Sequence, residues 1–354
     1  VAQVQKAALF KKKPGVDFVV GPDNYLDIPA IVEQAASGRC CRTGRDRRWH
    51  EVGGIATLRE SAVSAYVTIM EGCDNFCAYC IVPFSRGREK YRGLQNILAE
   101  VRDLADAGYR EVQLLGQNVN SYRDPETGRG FAELLDDVSG VPQIEWIRFI
   151  TSHPRNFGDE LIAAMARNPK VCRQLHLPLQ SGSTAVLRRM NRGYDREEYL
   201  GLVDRLKAGV PGISLSTDII VGFPGETEED FAATRDAVQS ICFAGIFSFH
   251  YSPRPLTAAA KLADDVTQAV KRRRLLEIQA LQRSIQLDIH ESFVGNTVKV
   301  LCTGPSPKGG GRIAGRTEGN QVVNFEAPSD VIGNFVKVHI VGCGPYSLHG
   351  RLAD

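Results

Sequence analysis

Cys73, Cys77 and Cys80 stand in a Cys-x3-Cys-x2-Cys spacing directly behind the apolar run 65–70. Three thiolates on one tight loop suit three irons of a cubane cluster and leave the fourth iron without a protein ligand. A zinc site asks for four protein ligands, or for three plus water with His or carboxylate among them, and no fourth partner is near in sequence. Buried or zinc-bound thiols are the bland reading; the spacing behind a strand-like run favours iron and sulfur. An iron with an open position can chelate the amino and carboxylate groups of S-adenosylmethionine. One electron from the reduced cluster then breaks the C–S bond and leaves a 5′-deoxyadenosyl radical. The protein's share is to align cofactor and substrate and to keep water away.

Such a loop needs a rigid rim. From 61 to 251, apolar β-like runs (65–70, 111–115, 146–150, 174–177, 213–221, 244–251) alternate with helical stretches (94–107, 131–138, 159–166, 184–190, 197–208, 228–240). Six β-α repeats imply parallel strands with right-handed crossovers, and six strands leave a barrel open on one side. Ligands then sit at the carboxyl ends of the strands, where the cysteine loop follows the first.

Each later strand end carries a polar or glycine-rich turn. After the second come Gly116, Gln117 and Asn118, a close-approach glycine with amides able to bind a zwitterion or ribose, or simply to cap the next helix. His153 follows the third strand, ahead of a proline. After the fourth, Gln180 and Ser181 are within reach of a cofactor and Arg192 of its carboxylate; solvated helix arginines are the alternative. The fifth strand runs through Asp218, Ile220 and Val221 into Gly222, a flat wall suited to adenine, and Thr227 with Asp230 makes a capping box. Helix 266–290 contains the run Lys271-Arg272-Arg273-Arg274, either a solvated face or a contact for RNA phosphates.

The 354 residues exceed one small domain, and 43% hydrophobic with 24% charged residues is an ordinary folded composition. A net charge of +2 neither requires nor forbids nucleic acid, so a basic footprint must be local. No stretch of eighteen apolar residues offers a membrane helix. Nine cysteines, three on one loop, suit a reducing compartment. Residues 1–58 read as an incomplete α/β piece: helix 1–10, strand 16–20, helix 28–36, and a basic loop 39–48 holding Cys40 and Cys41. Beyond 291, short β-runs (297–302, 311–315, 322–325, 335–340, 347–351) read as a small closed barrel. There Lys308, Arg312, Arg316, Lys337 and Arg351 are candidates for phosphate, Asn320 and Asn324 for ribose, and Cys302 and Cys343 for core thiols.

The string from Met70 through the cysteines to Glu89, with Tyr79 before the last Cys, resembles the radical-SAM signature and, within it, the tRNA methylthiotransferases of the MiaB type. The resemblance spans nearly the whole chain. It implies an α/β fold: a partial (β/α)6 radical-SAM barrel at 59–288, the C-terminal part of the methylthiotransferase N-terminal domain at 1–58, and an all-β TRAM RNA-binding barrel at 289–354. It implies a 4Fe–4S cluster on Cys73, Cys77 and Cys80. S-adenosylmethionine would be held by Gly116, Gln117, Asn118, Gln180, Ser181, Arg192, Asp218 and Gly222. In the family three further cysteines, the last just before Met-Ala-Gln, bind a second cluster. Val1-Ala2-Gln3 aligns with that tripeptide, so the sequence reads as an N-terminally truncated piece. The implied activity adds methylthio to C2 of N6-isopentenyladenosine beside the anticodon, with tRNA as substrate, flavodoxin or ferredoxin as electron donor, and a monomer in the cytoplasm or the mitochondrial matrix. A non-catalytic RNA-binding protein, or a methylthiotransferase for another tRNA base or a ribosomal protein, stays open. The family has Gly where Leu256 follows Pro255.

Overall fold

The computed structural model describes residues 1–46, 48, 49, 59, 61–307 and 309–353. The expected domain boundary at 58/59 and Lys308 fall at or on residues outside that set.

At the N-terminus, strands β1 (Phe18–Val20) and β2 (Cys40–Arg42) pair in parallel beside helix Ile28–Ala35. The loop expected at 39–48 therefore begins as a strand, because Cys40 and Cys41 find ladder partners in Phe18 and Val19. The first helix is broken into Ala2–Gln5 and Ala8–Lys12 at Lys6, whose φ of 49° no helix accepts. The piece docks beside the cysteine loop through buried Asp23, which takes a 2.6 Å ion pair from Lys90 Nζ, and through Arg45, bonded to the carbonyls of Phe84 and Ser85.

The central layer begins with β3 (Ser64–Thr68). A small hairpin, β4 (Met70–Glu71) with β5 (Lys90–Tyr91), brackets the cysteine loop. Then follow β6 (Glu111–Leu115), β7 (Trp146–Phe149), β8 (Gln174–His176), β9 (Ser214–Val221) and β10 (Gly245–His250). Pairing is parallel throughout, β3-β6-β7 on one side and β8-β9-β10 on the other. A parallel bridge from Ile147 to Val171 joins the halves, so the six strands form one open half-barrel. The alternation decides which side is apolar. Ala65, Val67, Val112, Leu114, Ile147 and Phe149 face the helices and build the main core, while the residues between them face the barrel interior.

That interior is polar at its floor. Arg148 Nε lies 2.6 Å from Glu111 Oε2, both buried, and Ser64 and Gln113 hydrogen-bond the other Glu111 oxygen.

The C-terminal strands β11 (Thr297–Pro305), β12 (Arg312–Thr317), β13 (Val322–Glu326), β14 (Phe335–Gly344) and β15 (Ser347–Leu352) close into a barrel in the order β11-β12-β13-β15-β14. Its core is Val300, Cys302, Ile313, Val323, Phe325, Val338, Ile340 and Leu348, with Cys343 packed against it. The β12–β13 turn plugs the N-terminal mouth of the half-barrel. Arg148 donates to the carbonyls of Glu318 (2.7 Å) and Thr317 (2.8 Å), and Trp146 stacks edge-on against Phe335 at 4.7 Å.

Candidate iron–sulfur and cofactor rim

The cysteine loop lies on the C-terminal rim because β3 delivers it there and the turn after helix Thr184–Arg189 pins it. Ala78 N donates to Met190 O, Ala259 N to Ala78 O, and Asn191 Nδ2 to Phe76 O. Gly72 carries φ +81°, and a Cβ there would stand 2.1 Å from Arg88 O, so only glycine lets the two flanks of the loop close. Gln117 Oε1 accepts from Gly72 N at 2.5 Å and ties the second strand's turn to the base of the loop.

Each thiol meets an N–H donor. Asn75 Nδ2 approaches Cys73 Sγ and the Val82 amide approaches Cys80 Sγ, both at 3.5 Å; Arg192 Nη1 reaches Cys77 Sγ at 3.2 Å. Burial pushes the Cys73 thiol up to about 11 and raises Cys80 as well, so iron loading at neutral pH must expel protons. Among the described residues no three His, Cys, Asp or Glu side chains converge on a single-ion point. A cubane takes one thiolate per iron, so a donor set spread over separate corners fits it.

Residues 67–238 match the Radical SAM superfamily and residues 291–353 the TRAM domain. The tRNA-2-methylthio-N(6)-dimethylallyladenosine synthase of Chlorobium luteolum is 45% identical over 353 residues, covering 99% of this chain and 79% of that protein. The Geotalea uraniireducens protein of the same name is 48% identical over 363 residues, covering 99% and 80%. The chain belongs to this synthase family.

In this member of the synthase family the expected rim residues divide into two groups. Gln117, Asn118, Gln180, Arg192 and Asp218 gather around the strand ends or the interior below them. Arg192 is buried, and its guanidinium is shared among Cys77 Sγ, Tyr79 OH, Tyr194 OH and Pro178 O rather than held free for a carboxylate. Asn118 is buried and donates to Glu89 and Asn156 while its own Oδ1 has no partner, an acceptor left over at the rim. Gln180 sits at φ 72° and bridges to Ile219. Asp218 half-faces the interior beside His176, Oδ2 to Nε2 3.4 Å.

Ser181 and Gly222 also follow the fourth and fifth strands, but they and Gly116 are packed against neighbouring side chains. Ser181 is fully buried, with its hydroxyl between Thr234 and the Ser183 amide on the helix side. Gly222 lies against Lys271, where a Cβ would stand 2.3 Å from Cγ. Gly116 makes room for Met70, 2.5 Å from where a Cβ would be. Gly116 was expected to let a ligand come close and Gly222 to border an adenine wall; here each makes room for a neighbouring side chain.

The basic helix, Gln268–Glu291, is also mostly committed. Lys271 Nζ pairs with Asp264 and Arg274 with Glu226 and Glu228, both cations buried, and Arg273 pairs with Glu228 and Glu277. On the C-terminal barrel, Asn324 is buried against Ser306, and Arg316 is bonded to Asn320 with burial and nearby Arg148 lowering its pKa. Arg312 and Arg351 remain exposed and flank a groove of about 730 Å³.

Several residues at the rim were not legible beforehand. Asn120 clamps the third strand's turn by giving Nδ2 to His153 O and taking His153 N on Oδ1, each at 2.9 Å. Tyr194 carries Arg192. Only its aromatic character in a loop signalled it. Thr151 (φ 73°), Gln180 (72°) and Phe76 (47°) put left-handed backbone at three rim turns, a strain that clusters where loops must aim groups precisely placed by their neighbours.

Proposed function

We propose that this chain is a radical-SAM tRNA methylthiotransferase, adding a methylthio group to C2 of an N6-dimethylallyl (isopentenyl) adenosine beside the anticodon. One observation carries the reading: the Cys73–Cys77–Cys80 loop sits at the rim of an open half-barrel in a chain 45% identical to a synthase so named.

When bound, a 4Fe–4S cluster with one open iron supplies one-electron cleavage of S-adenosylmethionine. Cys73, Cys77 and Cys80 hold the cluster in this reading, and Arg192, Asn75 and the Val82 amide direct N–H groups at the sulfurs, which bears on its potential. Gln117 and Asn118 position the cofactor's methionine end, with the unpaired Asn118 Oδ1 as acceptor for an N–H of its amino group. Ile220, packed against the buried cluster that contains Ala78, supplies the apolar wall for its adenine. The half-barrel encloses the substrate base and the C-terminal barrel closes the far mouth against water. RNA is met by the exposed Arg312 and Arg351. A flavodoxin- or ferredoxin-type protein delivers the electron, and the protein acts in the cytoplasm. Among the described residues no helix is long and apolar enough to cross a membrane.

The test is anaerobic reconstitution, reduction and chromatography for 5′-deoxyadenosine, with mass spectrometry of the nucleosides of an added tRNA. Release that disappears in Cys77→Ala is the expected result, with a methylthio mass gain in the RNA where the second cluster's cysteines are present. Iron bound without nucleoside release would overturn the assignment.

A further inference from the structure

Phe247 and Phe249 are 62% and 54% exposed, on a strand whose other face is packed. On β10 the alternate residues turn to the helix Gln268–Glu291: Ile246 joins the main core and Ser248 hydrogen-bonds Gln279. The two phenylalanines therefore face the barrel interior, in register with Asp218 and Ile220. Ile220 on the same face is one residue from the end of its strand and packs against the cluster that also takes Tyr79 of the cysteine loop, so Phe249, paired with it, lies just below the rim and Phe247 one step deeper. His176 turns its edge to Phe247 (centroids 5.7 Å, 72°) and is itself fixed by Ser216 on Nδ1 at 3.1 Å and Asp218 on Nε2 at 3.4 Å.

Two large apolar rings left open to solvent beside Asp218 and His176 are matched by a ligand that is flat, apolar on its faces and polar at one edge. A purine bearing a branched five-carbon group has those properties: ring faces for stacking, a prenyl chain for apolar contact, and one N6–H for a carboxylate.

We infer that Phe247 and Phe249 are the specificity wall for the N6-dimethylallyl adenine, with Asp218 accepting its N6–H and His176 holding Asp218 and Phe247 in place. This rests on the tRNA reading above and deepens it: the wall is what separates prenylated from unprenylated adenosine. His176 is a positioning residue. Truncating exposed rings opens no core cavity, so the variants fold.

Two anticodon-stem hairpin RNAs, identical except for dimethylallyl on the target adenosine, are titrated against the full chain by fluorescence anisotropy. Circular dichroism verifies the fold of each variant. The wild type favours the prenylated hairpin by about tenfold or more, the order expected from covering a few methyl and methylene groups. In Phe247→Ala/Phe249→Ala that ratio collapses toward one, the prenylated hairpin losing far more affinity than the unprenylated one, which loses only ring stacking. His176→Asn lowers the ratio less than the double variant does. A wild-type preference that survives in the double variant overturns the wall and leaves the tRNA reading standing. A wild type that binds neither hairpin overturns both.

Discussion

Arg192 Nη1 lies 3.2 Å from Cys77 Sγ across 115 residues of sequence, and the same buried guanidinium reaches Tyr79, Tyr194 and Pro178 O. One cation thus ties the cysteine loop to the fourth strand's turn. Replacing it, as in Arg192→Met, takes one of the two donors from Pro178 O, leaving Tyr194 OH, and removes a donor from the thiolate. The apoprotein loses roughly 1–3 kcal/mol in urea unfolding. The reconstituted cluster's potential falls, because N–H groups and positive charge at sulfur favour the reduced state; a redox titration followed by electron paramagnetic resonance reads it.

Gly72→Ala forces a Cβ into the Arg88 carbonyl at a left-handed backbone position. The half-barrel core is untouched, so the chain still folds, but the loop cannot close. Iron and sulfide analysis after reconstitution gives well under half the wild-type content, with a stability loss of roughly 1–3 kcal/mol.

His153 is buried between Arg192 and Arg155, and desolvation first, then those two cations, lower its pKa from 6.5 to about 2. The folded state holds it neutral while the unfolded chain protonates it near pH 6.5. Its contribution is intact above that pH and is lost progressively as pH falls toward 2. At pH 4.5 the penalty is about 2–3 kcal/mol. His153→Asn keeps an acceptor for the Arg155 amide, now bonded to Nδ1 at 3.2 Å, and flattens the urea midpoint between pH 6.5 and 4.5.

Arg148 and Glu111 form a buried pair that also holds the β12–β13 turn. Arg148→Ala leaves Glu111 charged and unpaired and costs about 3–5 kcal/mol. The C-terminal barrel then loosens first, and limited proteolysis cuts in the 292–296 connection faster than in the wild type.

Leu256 occupies φ 71° and is 59% exposed. Left-handed backbone penalises a side chain more than glycine's extra chain entropy does. Leu256→Gly raises stability by roughly 0.5–1 kcal/mol, read as an upward shift of the thermal midpoint.

Local pattern carried much of this protein. The cysteine spacing announces its metal chemistry, and the alternating apolar runs place all six half-barrel strands and the five of the C-terminal barrel to within a few residues, since side-chain period reports element and face without reference to partners. What pattern cannot report is which distant groups meet. Lys271 and Arg274 read as part of a basic run that is either solvated or turned to RNA phosphates, yet spaced three apart on a helix they share the face that packs inward onto Asp264 and Glu226. Ser181 and Gly222 read as cofactor contacts, yet the turn after Gln180 holds one against Thr234 and Lys271 fills the space beside the other. Arg192 on Cys77, Arg148 under the C-terminal barrel and the open rings of Phe247 and Phe249 exist only once the barrel has curved and its ends have been brought together. Closure is a property of the whole chain, and no window of residues contains it.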